Sequence, residues 1–213
     1  MSIEVKICGL TDAAAVKAAV EGGAAMCGFV FFPASPRNLT PKEAAELTKG
    51  VPEGVIRVGL TVDADDALLA EIALVAKVDM VQLHGAETPA RTNEVRERFG
   101  LPVIKVLAVQ GPDDLAAAEA YQGVADRLMF DAKPPEDASR PGGNARTFDW
   151  RVLKNQTFAL PWLLAGGLTA ENLAEAVKTS GAVAVDVSSG VEDAPGVKNV
   201  DKIRAFLAAA AAL

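Results

Sequence analysis

Eight short apolar segments alternate along this chain with eight segments rich in alanine and glutamate. Apolar runs of about 4–8 residues bounded by turn residues are typical of buried parallel strands. The predicted strands cover residues 5–8, 27–32, 56–62, 80–84, 103–109, 127–132, 162–165 and 183–187. The predicted helices cover residues 12–21, 41–49, 65–77, 89–99, 113–121, 149–153, 172–179 and 200–211. This alternation predicts the α/β class and, from its count, a (β/α)8 TIM barrel.

A doubly wound sheet is the other fold that is built from alternating strands and helices. That fold carries a G-x-G-x-x-G turn after a strand, with an acidic residue further on for a ribose. No predicted strand is followed by the full pattern, and no Pro- or Ser-rich linker divides the sequence. We therefore expect residues 1–213 to form one catalytic barrel domain. The longest irregular stretch, residues 133–146, is rich in proline and glycine and is predicted to be a lid or binding loop.

Charge and composition limit the partners of the chain. The net charge of -7 argues against nucleic acid, because a polyanion is bound by a basic face. No apolar run is long enough to cross a bilayer and no signal peptide opens the sequence, so we expect a cytoplasmic protein without membrane contact. With one histidine and no Cys–His cluster of suitable spacing, no metal site is expected.

Both cysteines are expected to be free thiols. Cys8 is predicted at the end of the first strand and Cys27 at the start of the second. In a parallel sheet these positions lie at opposite edges, which would be too far apart for a disulfide. Cys27 has no polar sequence context and is assigned to the core.

Active sites of such barrels are built at the C-terminal ends of the strands and in the loops that follow. This rule selects the candidate residues Cys8, Arg37, His84, Asp131, Gly166, Gly167, Asp186, Ser188, Ser189 and Gly190. Cys8 stands between a strand end and a glycine turn. A free cysteine is most often a small buried apolar residue. Here, however, the following helix could lower the pKa of the thiol from its usual ~8.5 and make it reactive.

Asp131 and Arg37 are the candidates for acid chemistry and for anion binding. Asp131 ends an apolar strand, where a carboxyl group is a surface charge, a helix cap or a half-buried general acid. Lys133 lies two residues on and could share its face. A lone arginine on a loop is most often solvated, but Pro33 and Pro36 stiffen the loop that carries Arg37. A fixed guanidinium there suits the binding of a carboxylate.

Glycine-rich segments follow predicted strands seven and eight, at Gly166-Gly167 and at Ser188-Ser189-Gly190. Loops at these places in barrels commonly bind phosphate through backbone N–H groups. Each segment alone could merely form a turn, but together they predict a phosphate site. His84 is either a structural histidine or a pocket residue. Asp186 points the same way as Ser188 by strand alternation, and it lines the pocket or satisfies a neighbouring donor.

In combination, these residues resemble the phosphoribosylanthranilate isomerases of tryptophan biosynthesis. The resemblance covers nearly the whole chain, in family order. The matching segments are Lys6-Ile7-Cys8-Gly9-Leu10-Thr11, Gly28-Phe29-Val30-Phe31, Ser35-Pro36-Arg37, Val58-Gly59-Leu60, Gln82-Leu83-His84-Gly85, Phe130-Asp131, Gly142-Gly143, Phe148-Asp149-Trp150, Leu164-Ala165-Gly166-Gly167-Leu168 and Asp186-Val187-Ser188-Ser189-Gly190-Val191-Glu192. The chain departs from many family members at Ala145, which bears on the path of that loop.

The resemblance implies a monomeric or homodimeric barrel that binds a small phosphorylated substrate and uses no cofactor. The implied reaction is the Amadori rearrangement of N-(5-phosphoribosyl)anthranilate to 1-(2-carboxyphenylamino)-1-deoxyribulose 5-phosphate. Cys8 is implied to be the general base, Asp131 the general acid and Arg37 the contact for the anthranilate carboxylate. The glycine-rich corners are implied to hold the phosphate, with His84 and Asp186 as lesser pocket residues.

Other phosphosugar barrels are the alternatives. The related histidine-pathway isomerase resembles two similar half-barrels and has an aspartate where Cys8 stands, and no half-chain repeat is visible here. Indole-glycerol-phosphate synthase relies on lysine and glutamate at its strand ends. A phosphate-binding barrel without catalysis is disfavoured by the presence of Cys8 and Asp131. A broadened specificity that includes the histidine-pathway substrate stays open.

Overall fold

The computed structural model describes residues 3–134, 141–143 and 147–213. Within these residues, eight parallel strands form a closed barrel in chain order. The strands are β1 (Glu4–Cys8), β2 (Met26–Phe31), β3 (Ile56–Thr61), β4 (Met80–Leu83), β5 (Val103–Val109), β6 (Arg127–Ala132), β7 (Trp162–Leu164) and β8 (Ala184–Val187). β1 pairs with both β2 and β8, which closes the barrel. The predicted TIM-barrel fold is confirmed.

Helices connect the strands on the outside of the barrel. The α-helices are α1 (Ala13–Glu21), α2 (Pro41–Thr48), α3 (Asp66–Glu71), α4 (Pro89–Phe99), α5 (Leu173–Ser180) and α6 (Val200–Ala211). A π-helix over Ile72–Ala76 continues α3, and 3-10 helices cover Pro112–Tyr121, Trp150–Leu153 and Ser189–Val191. The helices predicted over 113–121 and 149–153 are thus 3-10 helices. A sequence pattern does not distinguish i→i+3 from i→i+4 hydrogen bonding. No helix in the described part of the chain is both long and apolar enough to cross a membrane.

A short antiparallel hairpin after β8 was not predicted. It pairs β9 (Glu192–Ala194) with β10 (Val197–Lys198). The turn between them passes through Gly196 at a φ of 85°, a conformation that glycine adopts without strain. Strands of two or three residues are too short to show an alternating pattern, so no sequence signal predicts them.

Apolar side chains pack in two layers, one outside the strands and one inside the barrel. The outer layer lies between the strands and the helices and includes Phe29, Phe130 and Phe206. The inner layer includes Met26 and Ile104. At its C-terminal end, the barrel interior holds a third, small cluster of Cys8, Val30 and Leu60. Apolar side chains therefore pack on both faces of the strands.

Both cysteines are free and buried, as predicted, but the expected reason was wrong. The register of β1 and β2 places Ile7 opposite Cys27 and Cys8 opposite Gly28, so the two cysteines lie at neighbouring levels of the sheet. Successive side chains of a strand point to opposite faces. Cys8 therefore belongs to the cluster inside the barrel, whereas Cys27 packs in the outer layer. The sheet itself separates the two thiols.

The side chains of Asp12, Thr40 and Thr88 cap the N-termini of α1, α2 and α4. At α2 the Thr40 hydroxyl accepts a hydrogen bond from the Glu43 amide at 3.2 Å, and the Glu43 carboxylate accepts one from the Thr40 amide at 2.8 Å. This reciprocal pair satisfies two amides that the helix itself leaves without a partner.

We expect Thr40→Ala to lower the free energy of unfolding by about 1 kcal/mol, because the cap at α2 is lost. Urea denaturation measures the change. Lys42→Ala is the matched control, since Lys42 is exposed in the same helix and forms no part of the cap. A Thr40→Ala variant as stable as the wild type would show that the cap does not stabilise α2.

Candidate active site

Two adjoining cavities open at the C-terminal end of the barrel. The first is lined by Asp131, Ala132, Gly142, Gly143, Gly166, Gly167, Leu168, Asp186, Ser188, Ser189 and Gly190. The second is lined by Cys8, Val30, Phe32, Ser35, Arg37, Leu60, Val62, Gln82, His84, Asp131, Pro141, Gly142, Gly143, Asp186 and Ser188. Every candidate site residue selected from the sequence lines one or both of them. Parallel strands bring residues that are distant in sequence to the same end of the barrel.

Cys8 lies at the end of β1 with 3% of its surface exposed. The neighbouring position on β2 is Gly28, and a Cβ atom built there would lie 3.1 Å from the Cys8 sulfur and 2.9 Å from the Lys6 Nζ atom. Both groups therefore use space that any larger residue at position 28 would fill.

Burial raises the pKa of Cys8 above its ordinary value, and the Lys6 ammonium opposes this shift without reversing it. The negative charge of Asp186 adds to the increase. The expectation that a helix terminus would lower the pKa of this thiol was wrong. α1 begins only at Ala13, and its N-terminus is occupied by the Asp12 carboxylate, which accepts a hydrogen bond from the Ala15 amide at 2.8 Å.

Lys6 and Asp186 form a buried ion pair beside Cys8, with Nζ and Oδ1 2.7 Å apart. Lys6 has no exposed surface. Burial acts to lower the pKa of Lys6, but the charge and hydrogen bond of Asp186, together with a smaller contribution from Cys8, outweigh it and hold the pKa above its ordinary value. Lys6 therefore stays charged beside the thiol. Lys6 was not selected as a site residue from the sequence, although a lysine inside the apolar run 5–8 is a signal for a buried charge.

Asp131 ends β6 and is buried. Its Oδ1 atom accepts a hydrogen bond from the Ala132 amide at 2.8 Å, and its Oδ2 atom lies 3.3 Å from Nε2 of His84. Lys133, which was considered as a neighbour, is exposed, and its amide donates to the Val109 carbonyl. The carboxyl group thus faces the cavity with His84 as its side-chain partner.

Arg37 is buried, with 3% of its surface exposed, and is held in place on two sides. Its Nε and Nη2 atoms each donate to a carboxylate oxygen of Glu192 at 2.7 Å. The side chain passes close to Gly9, where φ is 76° and where a Cβ atom would overlap the arginine. The third guanidinium nitrogen, Nη1, lies beside Gly143 in the cavity wall. The proline-stiffened loop therefore presents a fixed guanidinium, as expected, although it already holds one carboxylate.

The two glycine-rich segments meet in the first cavity. After β7, Gly166 has a φ of 94°, and a Cβ atom there would lie 2.8 Å from the Ala132 amide nitrogen. After β8, a Cβ atom at Gly190 would overlap the carbonyl of Leu168. The first bond of the following 3-10 turn is donated by the Val191 amide to the Ser188 carbonyl at 3.4 Å. The turn therefore does not use the amides of Ser189 and Gly190, which can donate to an anion.

Part of the irregular stretch 133–146 reaches the site. Gly142 and Gly143 line both cavities, and a Cβ atom at Gly142 would lie 2.9 Å from Oδ2 of Asp131. The remainder, which includes Ala145, falls largely outside the described residues. That this stretch acts as a lid stays a prediction.

Comparison with known proteins gives the family. The family model described as N-(5'-phosphoribosyl)anthranilate isomerase matches residues 5–209. The N-(5'-phosphoribosyl)anthranilate isomerase of Paramagnetospirillum magneticum is 59% identical over 210 residues, which cover 99% of this chain and 98% of that protein. The chain belongs to the phosphoribosylanthranilate isomerase family.

Solved phosphoribosylanthranilate isomerases share the fold. The structure from Thermotoga maritima gives a TM-score of 0.88 at 35% identity, covering 99% of this chain and 100% of that one. A phosphoribosylanthranilate isomerase in complex with reduced 1-(o-carboxyphenylamino)-1-deoxyribulose 5-phosphate gives a TM-score of 0.85 at 33% identity, with coverage of 99% and 100%. The predicted isomerase activity in tryptophan biosynthesis is confirmed.

Two buried charges of this member of the phosphoribosylanthranilate isomerase family were not selected from the sequence. Glu192 pairs with Arg37, and Lys198 donates to a Glu192 oxygen at 2.7 Å and to the Ser188 carbonyl at 2.9 Å. Glu192 lies inside the last segment of the resemblance, but nothing in its spacing indicated a contact with Arg37. Lys198 lies on β10, a strand that the sequence pattern did not reveal.

Because burial raises the pKa of Cys8, the thiolate fraction at pH 7 is smaller than that of free cysteine. We expect iodoacetamide to alkylate Cys8 with a pH midpoint above the ~8.5 of free cysteine. A Cys27→Ala background leaves Cys8 as the single thiol for mass spectrometry. A midpoint at or below that of free cysteine would contradict this assignment.

Proposed function

We propose that the cavity at the C-terminal end of the barrel carries out the Amadori rearrangement of N-(5-phosphoribosyl)anthranilate, with Cys8 as base and Asp131 as acid. The proposal is supported chiefly by one observation, the arrangement of the groups around this cavity. Cys8 and Asp131 line it between a buried guanidinium on one side and two glycine-rich corners on the other. A substrate with a carboxylate at one end and a phosphate at the other matches that order.

The two ends of the substrate fix its orientation in this proposal. The phosphate accepts hydrogen bonds from the amides of Gly166, Gly167, Ser189 and Gly190. The anthranilate carboxylate approaches Nη1 of Arg37, the guanidinium nitrogen that does not bond to Glu192. The anthranilate ring packs on the apolar wall formed by Val30, Phe32, Leu60 and Val62. The ribose then lies between these ends, beside the two reactive groups.

Asp131 begins the reaction by protonating the ring oxygen of the furanose. The C1–O bond breaks as the lone pair of the anilino nitrogen forms a C1=N bond, which gives an iminium ion and a free hydroxyl group. His84, at 3.3 Å, and the Ala132 amide, at 2.8 Å, hold the Asp131 carboxyl group in position. Asp131 gives up its proton in this step and becomes a carboxylate, which is the role of a general acid.

Cys8 then removes the proton from C2 of the sugar as the thiolate. The electron pair of the C2–H bond forms the C1=C2 bond, and the iminium nitrogen becomes neutral. The resulting enolamine gains a proton at C1 and loses one from the C2 hydroxyl, which gives the ketone. The adjacent Lys6 ammonium stabilises the thiolate. Every step is a proton transfer, so the chemistry requires no metal and no redox cofactor.

The wider setting follows from the same chemistry. We propose that residues 1–213 act as one catalytic domain on a small phosphorylated substrate. A base that works as a thiolate has to stay reduced, which supports a location in the cytoplasm. The assembly as a monomer or a homodimer stays a prediction.

We expect Cys8→Ala and Asp131→Asn each to lower kcat by at least ~100-fold, because each removes a proton-transfer group. The loss of anthranilate-type fluorescence from freshly generated phosphoribosylanthranilate measures turnover. Cys27→Ala, which removes the thiol on the other side of the sheet, is the control and should keep full activity. Full activity in either test variant would remove that residue from the mechanism. A folded wild type without turnover would favour the histidine-pathway substrate.

Arg37→Ala should raise KM about 10-fold or more and change kcat less, since a charge-assisted hydrogen bond contributes ~1.5–3 kcal/mol to binding. Steady-state kinetics on the same fluorescent substrate separate the two constants. Circular dichroism checks that the variant, which leaves Glu192 without its guanidinium, still folds. An unchanged KM in a folded variant would show that Arg37 does not bind the carboxylate.

A further inference from the structure

We propose that Glu192 is a positioning residue that orients Arg37 toward the substrate carboxylate and, through Lys198, ties Arg37 to the phosphate-binding loop at Ser188. The inference rests on the proposed function, in which Arg37 and the Ser188 loop hold the two ends of the substrate. In this inference, Glu192 and Lys198 connect the residues that hold the two ends of the substrate, without contacting the substrate themselves.

The contact between Glu192 and Arg37 selects one guanidinium orientation. Both carboxylate oxygens accept a hydrogen bond, one from Nε and one from Nη2, each at 2.7 Å. Such a two-point contact fixes the plane of the guanidinium as well as its position. The remaining nitrogen, Nη1, is then held in the cavity wall beside Gly143. A solvated arginine side chain would have to lose rotamer freedom when it bound a ligand, whereas this one is already ordered.

Glu192 is an ionised carboxylate that pairs with two basic side chains. Burial would raise the pKa of Glu192, but the hydrogen bonds of Arg37 and the charge of Lys198 outweigh it and hold the pKa below the ordinary value. Glu192 is therefore ionised and lies between two cations. Burial lowers the pKa of Lys198, and the charge of Glu192 opposes this shift. Because Glu192 also pairs with Lys198, at 2.7 Å, its negative charge does not act on Arg37 alone.

Lys198 extends the link from Glu192 to the other end of the cavity. Its Nζ atom donates to Oε1 of Glu192 at 2.7 Å and to the Ser188 carbonyl at 2.9 Å. Lys198 and Glu192 are directly paired in the β9–β10 hairpin, which keeps the two side chains together. Lys202 of α6 donates to the Glu192 carbonyl at 2.7 Å and anchors the hairpin. The β9–β10 hairpin thus connects Arg37 at one end of the site to the Ser188 loop at the other.

A double-mutant cycle on Arg37 and Glu192 tests the inference. Glu192→Gln keeps the size of the side chain but loses the charge and one acceptor for the guanidinium. We expect KM to rise about 10-fold with kcat changed by less than about 3-fold, because binding is weakened and the reacting groups are untouched. In the Arg37→Ala background, the same substitution should change KM by less than about 2-fold, since Glu192 acts through Arg37.

Asp193→Asn is the matched control for Glu192→Gln. Asp193 is the next residue on β9, is exposed, and pairs with Lys202 and Asn199 instead of a site residue. Its KM should equal that of the wild type. A rise in KM for Asp193→Asn as large as that for Glu192→Gln would assign the effect to the hairpin in general and overturn the specific role of Glu192.

Lys198→Met tests the second link without removing the contact between Glu192 and Arg37. We expect the inhibition constant of inorganic phosphate to rise about 5-fold or more, because the Ser188 carbonyl loses its contact with Lys198. The inhibition constant of anthranilate should change less than about 2-fold, because Glu192 loses Lys198 but keeps both hydrogen bonds to Arg37. Equal inhibition constants in the variant and the wild type would overturn the link to Ser188. Circular dichroism and thermal melting confirm that each variant is folded. If Glu192→Gln does not fold, Glu192→Asp replaces it in the same cycle.

The outcomes separate this inference from the function on which it rests. An unchanged KM in Arg37→Ala would mean that Arg37 does not bind the carboxylate, and the proposed function would fail first. A raised KM in Arg37→Ala with a wild-type KM in folded Glu192→Gln would overturn only the positioning role. The positioning role would also be overturned if the changes in log KM from Arg37→Ala and Glu192→Gln were additive in the double variant. Additivity would show that Glu192 acts independently of Arg37.

Discussion

The barrel closes where β1 lies against β8, and the buried ion pair of Lys6 and Asp186 spans that seam. The two residues are partners in the strand register as well as in charge. Removing one member of a buried pair leaves an uncompensated charge, which typically costs ~3–5 kcal/mol. Burial raises the pKa of the neighbouring Cys8 thiol, and the charge of the same ammonium group opposes that shift. The ion pair at the seam therefore also sets the electrostatic environment of the proposed base. A substitution in this pair would change both the stability of the barrel and the pKa of Cys8.

Sequence reasoning located the strands and the strand-end residues because both follow from local patterns. β5 and β6 begin and end at the predicted residues. β5 is a long run rich in valine and isoleucine, and β6 is an apolar run bounded by charged residues, so both stand out from the segments around them. The rule that barrel sites lie at strand ends then selected Cys8 and Asp131. Types of helix were harder to predict, because 3-10, α and π helices bury one face with nearly the same spacing.

Contacts between distant parts of the chain were beyond this kind of reasoning. Arg37 and Glu192 are 155 residues apart, and a hydrogen bond between them depends on strand register and on a hairpin without a sequence signature. The prediction that the pKa of Cys8 is lowered was wrong for a related reason. The nearby helix was visible in the sequence, but the depth of burial, which proved to be the larger effect, was not. The prediction that Cys8 and Cys27 lie at opposite edges of the sheet was also wrong, because the strand register decides which residues of β1 and β2 are neighbours.

Gly28 has a consequence for how this barrel can vary. The position opposite Cys8 carries no side chain, and the sulfur and the Lys6 ammonium extend into the space that is left. Gly111, by contrast, has an extended φ of -147° and nothing within 4 Å of an added Cβ atom. Mutational tolerance therefore differs sharply between two glycines of the same chain. Position 111 can accept other residues, whereas any larger residue at position 28 would displace the Cys8 sulfur and the Lys6 ammonium.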